Sequence, residues 1–269
     1  MSAAARTAAD TTALAPDRPA DRPAVVRDAG RRAFRAAWNY LAGGQTLFAA
    51  GFWLLFGLVM VVVPLLVRAN DGVMGGGVLT GASYSARWFA FSLGIATTSS
   101  LLTMHLAAGG TRRSFLRATI ATAAVVGLVY GLFYGVATVG EQALFGALGW
   151  DWVRPEGLPA AGAAATVADA AAEGLACAVY SLVGTAIGMG YQGYGSWLGT
   201  ALILPGLALL ALVGVTTRTG AAGDALGRVL PFDGSAGVLV GLLGALVTCA
   251  LAAGWLRVHL LRVQLRPPS

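Results

Sequence analysis

Six apolar runs constrain this chain more than any other feature. They cover approximately residues 47–67, 88–108, 118–139, 170–190, 196–215 and 236–256. Each is close to the roughly 20 residues an α-helix needs to cross the hydrocarbon core of a bilayer. Only 11% of the 269 residues are charged and 57% are hydrophobic, with a mean hydropathy of +0.72. A soluble domain carries about 25% charged residues, so a water-facing surface cannot be assembled from this sequence. Lipid is the solvent that such a composition suits. The expected fold is an all-α integral membrane protein with six transmembrane helices, and Trp88, Trp197 and Trp255 fall near run ends as an interfacial aromatic belt would place them.

Arginine placement sets the expected orientation, because basic residues collect in cytoplasmic loops. With the N-terminus inside, the cytoplasmic segments carry Arg6, Arg18, Arg22, Arg27, Arg31, Arg32, Arg35, Arg112, Arg113, Arg117, Arg257, Arg262 and Arg266. Only Arg68, Arg87, Arg154, Arg218 and Arg228 fall outside. Both termini are therefore expected in the cytoplasm. All 18 basic residues are arginine, and glycine and alanine abound, which suggests a GC-rich bacterial genome and a multi-pass protein of the bacterial cytoplasmic membrane. The same asymmetry accounts for the net charge of +6, so no nucleic-acid partner is expected.

Residues 1–24 have no apolar period and read as a disordered cytoplasmic tail; they also lack a signal peptide's apolar segment. Residues 25–43 form an amphipathic pattern. Val26, Gly30, Ala33, Phe34, Ala37, Trp38 and Leu41 share one helical face, with Arg31, Arg32, Arg35, Asp28 and Asn39 on the other. Phe34 and Trp38 as apolar anchors, edged by Arg31 and Arg35, suit an interfacial helix; an exposed juxtamembrane helix is the plainer reading. Gly43 and Gly44 are expected to break the chain before the first span. The six-helix domain then occupies 44–262, followed by a short cytoplasmic tail over 263–269. The outer connections 140–169 and 216–235 are either plain connectors or carry brief amphipathic turns. In the first of them, Leu144, Phe145, Leu148 and Trp152 could form a short interfacial helix.

Chemistry inside the spans is sparse. Glu173 lies near the outer end of the fourth run and His105 near the inner end of the second. Ionisable groups in a membrane mark proton or ion paths, so their scarcity argues against an ion-coupled pump. The absence of lysine precludes a P-loop, whose lysine reaches the β- and γ-phosphates; the chain is expected to be no enzyme and to bind no cofactor itself. Cys177 and Cys249 lie within runs without C-x-x-C spacing, as buried apolar residues do. The "GYGSW" of residues 193–197 resembles a serine-protease element, but Ser196 falls at a cytoplasmic turn and His259 beyond the sixth run, so Ser196 reads as a helix N-cap. The "LAGGQ" of 41–45 has no nucleotide-binding domain around it. Gly184 and Gly188 form a G-x-x-x-G, either a helix-packing site or an accident of a glycine-rich chain. Thr97, Thr98, Ser99 and Ser100 would suit an amphiphile's path or serve as packing residues.

The stretch "GGTRRSFLRAT" at 109–119 separates the second and third runs. Its arginines are either topological anchors or a contact surface. Thr111 can cap a short helix that starts at Arg112, with Phe115 and Leu116 seated on the bundle and Arg112 and Arg113 facing the cytoplasm. This stretch resembles the G-x-T/S-R-R-x-F element of ABC-2-type permeases, the membrane subunits of bacterial ABC exporters. The amphipathic helix before the first span, the six spans and the glycine-rich "GMGYQGYGSWLG" are also similar to that family. The resemblance implies an elbow helix over 25–43 and a coupling helix formed by Gly109, Thr111, Arg112, Arg113, Phe115 and Leu116. It also implies a separate ABC ATPase subunit that binds the ATP, a second permease subunit of the same or a related chain, and outward movement of a drug, peptide or lipid-like substrate. The alternative is a non-transporting membrane scaffold, or an immunity or regulatory protein bound to another membrane complex.

Overall fold

A computed structural model describes residues 22–155, 157–219, 223 and 234–262. Most of the expected tail 1–24, the tail 263–269 and much of the connection 216–235 lie outside the described residues. Among the described residues every regular element is helical: α1 Arg22–Ala69, α2 Leu79–Ala107, α3 Arg112–Leu148, α4 Gly162–Ala201, α5 Ile203–Thr216 and α6 Gly234–Arg262. Five of these are long and apolar enough to cross a membrane; α5 has 14 residues.

The bundle is arranged around α4. In its most apolar 18-residue window 78% of residues are buried, against 17–39% for the other long helices. α2, α3, α5 and α6 pack on α4, and α1 packs on α3 and α2. The side chains are distributed as lipid solvation requires. α4 buries small residues such as Gly174, Ala176, Ala178, Gly184, Ala186 and Gly188. The large apolar side chains Leu54, Leu58 and Leu65 of α1, Leu128 and Leu132 of α3, and Leu239 and Leu243 of α6 point outward. Hydrocarbon offers no hydrophobic drive to hide leucine, so association depends on close backbone packing at small residues. That packing is visible at the glycines. A Cβ on Gly184 would run into the backbone of Phe91, and one on Gly188 would sit 3.2 Å from the Ile95 carbonyl. Gly127 and Gly131 of α3 abut the backbone of Gly174 and Ala170.

The helices run in alternating directions, which gives the bundle two distinct ends. At one end Phe34 and Trp38 of α1, Leu101 and Leu106 of α2, Phe115 of α3 and Leu260 of α6 share an apolar cluster. At the other, the starts of α2 and α4 meet the end of α3 and the residues after α5. The fifth pass follows a sharp reversal. Gly195 has φ 80° and ψ −177°, a conformation open to glycine alone. Beyond it the chain folds back along α4, with Gly199 against Tyr191 and Gly206 against Ile187 and Val183. The helical stretch 196–201 and α5 together retrace the run expected at 196–215, interrupted only near Leu202.

Several expected boundaries are corrected. The segment 25–43 is not a separate elbow helix, because α1 passes through Gly43 and Gly44 as one helix of 48 residues. The reason is phase: Ala37, Leu41, Gln45, Ala49, Trp53, Met60 and Pro64 form one buried stripe at helical spacing on both sides of the glycines. At 1.5 Å per residue the helix is about 72 Å long, far beyond the ~30 Å hydrocarbon core. α2 begins nine residues before Trp88. The expected short helix at Arg112 is the first turn of the 37-residue α3, and the expected interfacial helix around Leu144, Phe145 and Leu148 is that helix's last two turns.

Because α2 and α3 touch α4 through their backbones, Gly184→Leu and Gly127→Leu are each expected to destabilise the protein by about 1–3 kcal/mol. Gly51→Leu, on an exposed face with open space around the added carbon, should stay within about 0.5 kcal/mol. Thermal unfolding in detergent measures all three.

Candidate functional site

The turn between α2 and α3 is specified atom by atom. At the end of α2, Gly109 N–H donates to the Leu106 carbonyl at 3.0 Å and Gly110 N–H to the His105 carbonyl at 2.9 Å. With Gly109 at φ +81°, this is a Schellman motif, which needs a left-handed residue at that position. α3 then starts at once. Thr111 Oγ1 accepts from Ser114 N–H and Ser114 Oγ accepts from Thr111 N–H, both at 3.1 Å, a capping box with serine in the usual place of Glu or Gln. His105 Nε2 lies 2.9 Å from Ser114 Oγ and binds the last turn of α2 to the first turn of α3. A side chain on Gly110 would strike that imidazole.

The expected site residues separate here by role. Phe115 and Leu116 are buried in the apolar cluster that also takes Phe34 and Trp38, and the Phe115 ring lies 5.6 Å from that of His105. Arg112 is half-buried and donates from Nη1 to the Leu261 carbonyl of α6 at 3.3 Å. Arg113 and Arg117 are exposed, as are Gly109 and Thr111. Four residues apart, the two arginines share one face of the helix. Arg31 and Arg35 on α1 are also exposed, and Phe34 stacks on Trp38 at 6.3 Å. The structure thus brings the 109–117 residues and the apolar face of 25–43 to one end of the bundle. Gly184 and Gly188 sit elsewhere, on the α2–α4 contact. Thr97 accepts a hydrogen bond from Gln45 Nε2 at 3.0 Å. The rings of Tyr194 and Trp255 flank His259.

The opposite end holds ionisable groups that the sequence reading did not join. Arg87, expected in an outer loop, lies in the third turn of α2 and is buried, as is Glu173 of α4. Its Nε and Nη2 donate to the Glu173 carboxylate, and its Nη1 donates to Thr219 Oγ1 at 2.8 Å. One turn before Glu173, Asp169 accepts from Arg154 Nε at 3.0 Å and from Leu158 N–H at 3.0 Å. Arg154 also donates to the Ala160 and Leu158 carbonyls, so it fastens the loop after α3 onto α4. Glu141, buried near the end of α3, accepts from Leu79 N–H at 3.0 Å and Trp152 Nε1 at 3.2 Å. Beside the Arg87–Glu173 pair lies a cavity of about 310 Å³, bordered by Gly81, Tyr84, Arg87, Asp169, Glu173 and Thr219 among others. Among the described residues no cluster of three or more His, Cys, Asp or Glu side chains could hold a metal ion.

A signal for this end was present in the sequence. Leu79, Ala82, Ala86, Ala90 and Leu93, all buried, lie at helical spacing and carry α2 back past Trp88, which places Arg87 inside the helix. Its pairing with Glu173, 86 residues later, has no such local signature. Comparison with family models, with curated proteins and with solved structures gives no match.

Removing one member of a buried ion pair leaves the other charged and unpartnered, which typically costs about 3–5 kcal/mol. Arg87→Leu and Glu173→Leu should each destabilise on that scale. The double replacement Arg87→Leu/Glu173→Leu should recover most of the loss, since an apolar pair strands no charge. A double-mutant cycle of unfolding midpoints in detergent reads this directly.

Proposed function

We propose that the chain is the permease subunit of a bacterial ABC exporter, embedded in the cytoplasmic membrane with its arginine-rich end inward and coupled through the 109–117 turn to a separate ATP-hydrolysing subunit. The observation that carries this reading is the construction of the turn. A Schellman stop and a capping-box start, joined without slack, sit on buried Phe115 and Leu116 and leave Arg113 and Arg117 outward on one face. A simple connector needs no such rigidity, whereas a surface that receives force from a partner does.

The charge distribution supports the orientation. Exposed Arg27, Arg31, Arg32, Arg35, Arg113, Arg117, Arg257 and Arg262 gather at the end with the turn, and among the described residues Asp28 is the acidic residue beside them. Asp71, Glu141, Asp151, Asp169 and Glu173 belong to the other end. The positive-inside rule then puts the turn in the cytoplasm and both termini with it. Force applied at Arg113 and Arg117 enters α3 at its first turn and passes along a continuous helix packed on α4, a rigid-body route for switching the bundle between inward and outward states. ATP binds to the partner, a second permease subunit of the same or a related chain completes the transporter, and a drug, peptide or lipid-like amphiphile is the cargo. The tight enclosure of α4 favours one other reading, a non-transporting scaffold or regulatory protein, in which the arginines serve only as anchors.

An affinity pull-down of the tagged full chain from its own membranes separates the two. An ATP-binding-cassette subunit is expected to co-purify with wild type and to be lost from Arg113→Glu/Arg117→Glu. These exposed replacements should move the unfolding midpoint by no more than about 0.5 kcal/mol equivalent. A well-folded wild type that brings down no such subunit would leave the scaffold reading in its place.

A further inference from the structure

The cavity at the Glu173 end points to a second functional element, independent of the coupling reading. We infer that it is a binding site for a small zwitterion, a molecule that carries an ammonium and an acid anion within one headgroup-sized unit. Its wall sets one guanidinium, Arg87, beside two carboxylates, Asp169 and Glu173, one helical turn apart on α4. A simple cation entering there would be opposed by Arg87, and a simple anion by the two carboxylates. A zwitterion has a counter-charge for each of its halves.

The groups keep capacity for a ligand while paired with each other. A guanidinium has five N–H donors, of which Glu173 takes two and Thr219 one. A carboxylate has about four lone-pair sites; Asp169 Oδ1 accepts from Leu158 N–H, and Arg154 holds Oδ2 from behind. A ligand's acid group can therefore accept from Arg87 while its ammonium donates to the α4 carboxylates, without stranding either buried charge. Tyr84, one turn before Arg87 and in edge contact with Trp88, borders the same cavity and offers an aromatic face to a cation. The volume of about 310 Å³ is at the small end of ligand pockets. It accommodates a phosphoethanolamine-sized or amino-acid-sized group.

Gly81 makes the test possible. It lines the cavity, is exposed, and has nothing within 4 Å of an added Cβ, so a side chain can start there without a clash and Gly81→Phe is expected to fill cavity space. The purified full chain, in an uncharged maltoside detergent, is titrated by calorimetry. Glycerophosphoethanolamine and L-alanine are the two zwitterions, and ethanolamine and the phosphodiester monoanion dimethyl phosphate are the single-charge halves. At least one zwitterion is expected to bind saturably, both halves about tenfold or more weaker, and Gly81→Phe to weaken zwitterion binding about tenfold at an unchanged unfolding midpoint. Binding of glycerophosphoethanolamine alone would identify a lipid headgroup as the source, and binding of L-alanine alone a free amino acid. The proposal is overturned if neither zwitterion binds, if either half binds as well as the whole, or if Gly81→Phe binds like wild type.

Discussion

The enclosure of α4 is the constraint on which the rest of the structure depends. A helix surrounded by neighbours in lipid gains nothing from hiding large apolar side chains, so it must be held by contact distance and by polar groups that hydrocarbon cannot satisfy. Both devices are present. Gly184 and Gly188 let α2 lie against α4 backbone to backbone, and Gly127, Gly131 and Gly174 do the same for α3. The Arg87–Glu173 pair then fixes the register of α2 on α4, and Arg154–Asp169 fixes the loop after α3. The reversal at Gly195 lays the fifth pass along the same helix.

The two ends of the bundle have different chemistry because they solve different problems. At the arginine end, exposed charge is carried on a turn whose backbone donors and acceptors are closed by the Schellman motif and the capping box, so the charges stand on a stiff base. At the opposite end two ion pairs, Arg87–Glu173 and Arg154–Asp169, face inward beside a cavity, where a lone charge would be expensive. α3 joins the two ends, beginning at Arg112 and carrying Glu141 near its close.

Much of this was legible in the sequence where the signal is local. Six apolar runs marked five long helices and the short α5, and Thr111 announced the start of α3; Phe34, Trp38 and Leu41, expected on the apolar face of an interfacial helix, pack on the bundle instead. What failed was the placing of boundaries by hydropathy. Gly43–Gly44 suggested a break, but the buried stripe stays in phase from Ala37 to Trp53 and the helix continues. The polar start of α2, with Thr80, Ser83, Tyr84 and Arg87, looked like a loop, and the partners of Arg87 come from α4 and from the residues after α5. No reading of one segment contains that information. The candidate turn was legible as a unit; the division of labour inside it, with Arg112 held by the Leu261 carbonyl and Arg113 outward, required the third dimension.

The proposed topology, six passes with α4 enclosed by the others, presents the 109–117 turn and the Gly195 reversal on one side of the membrane. Single cysteines placed at Arg113, Ser196 and Asp151, all exposed positions, in a chain with Cys177 and Cys249 replaced by alanine, test it with an impermeant thiol reagent on sealed vesicles of known orientation. Arg113→Cys and Ser196→Cys are expected to react from the cytoplasmic side only, and Asp151→Cys from the opposite side only. Labelling of Ser196→Cys and Asp151→Cys from the same side would contradict the account.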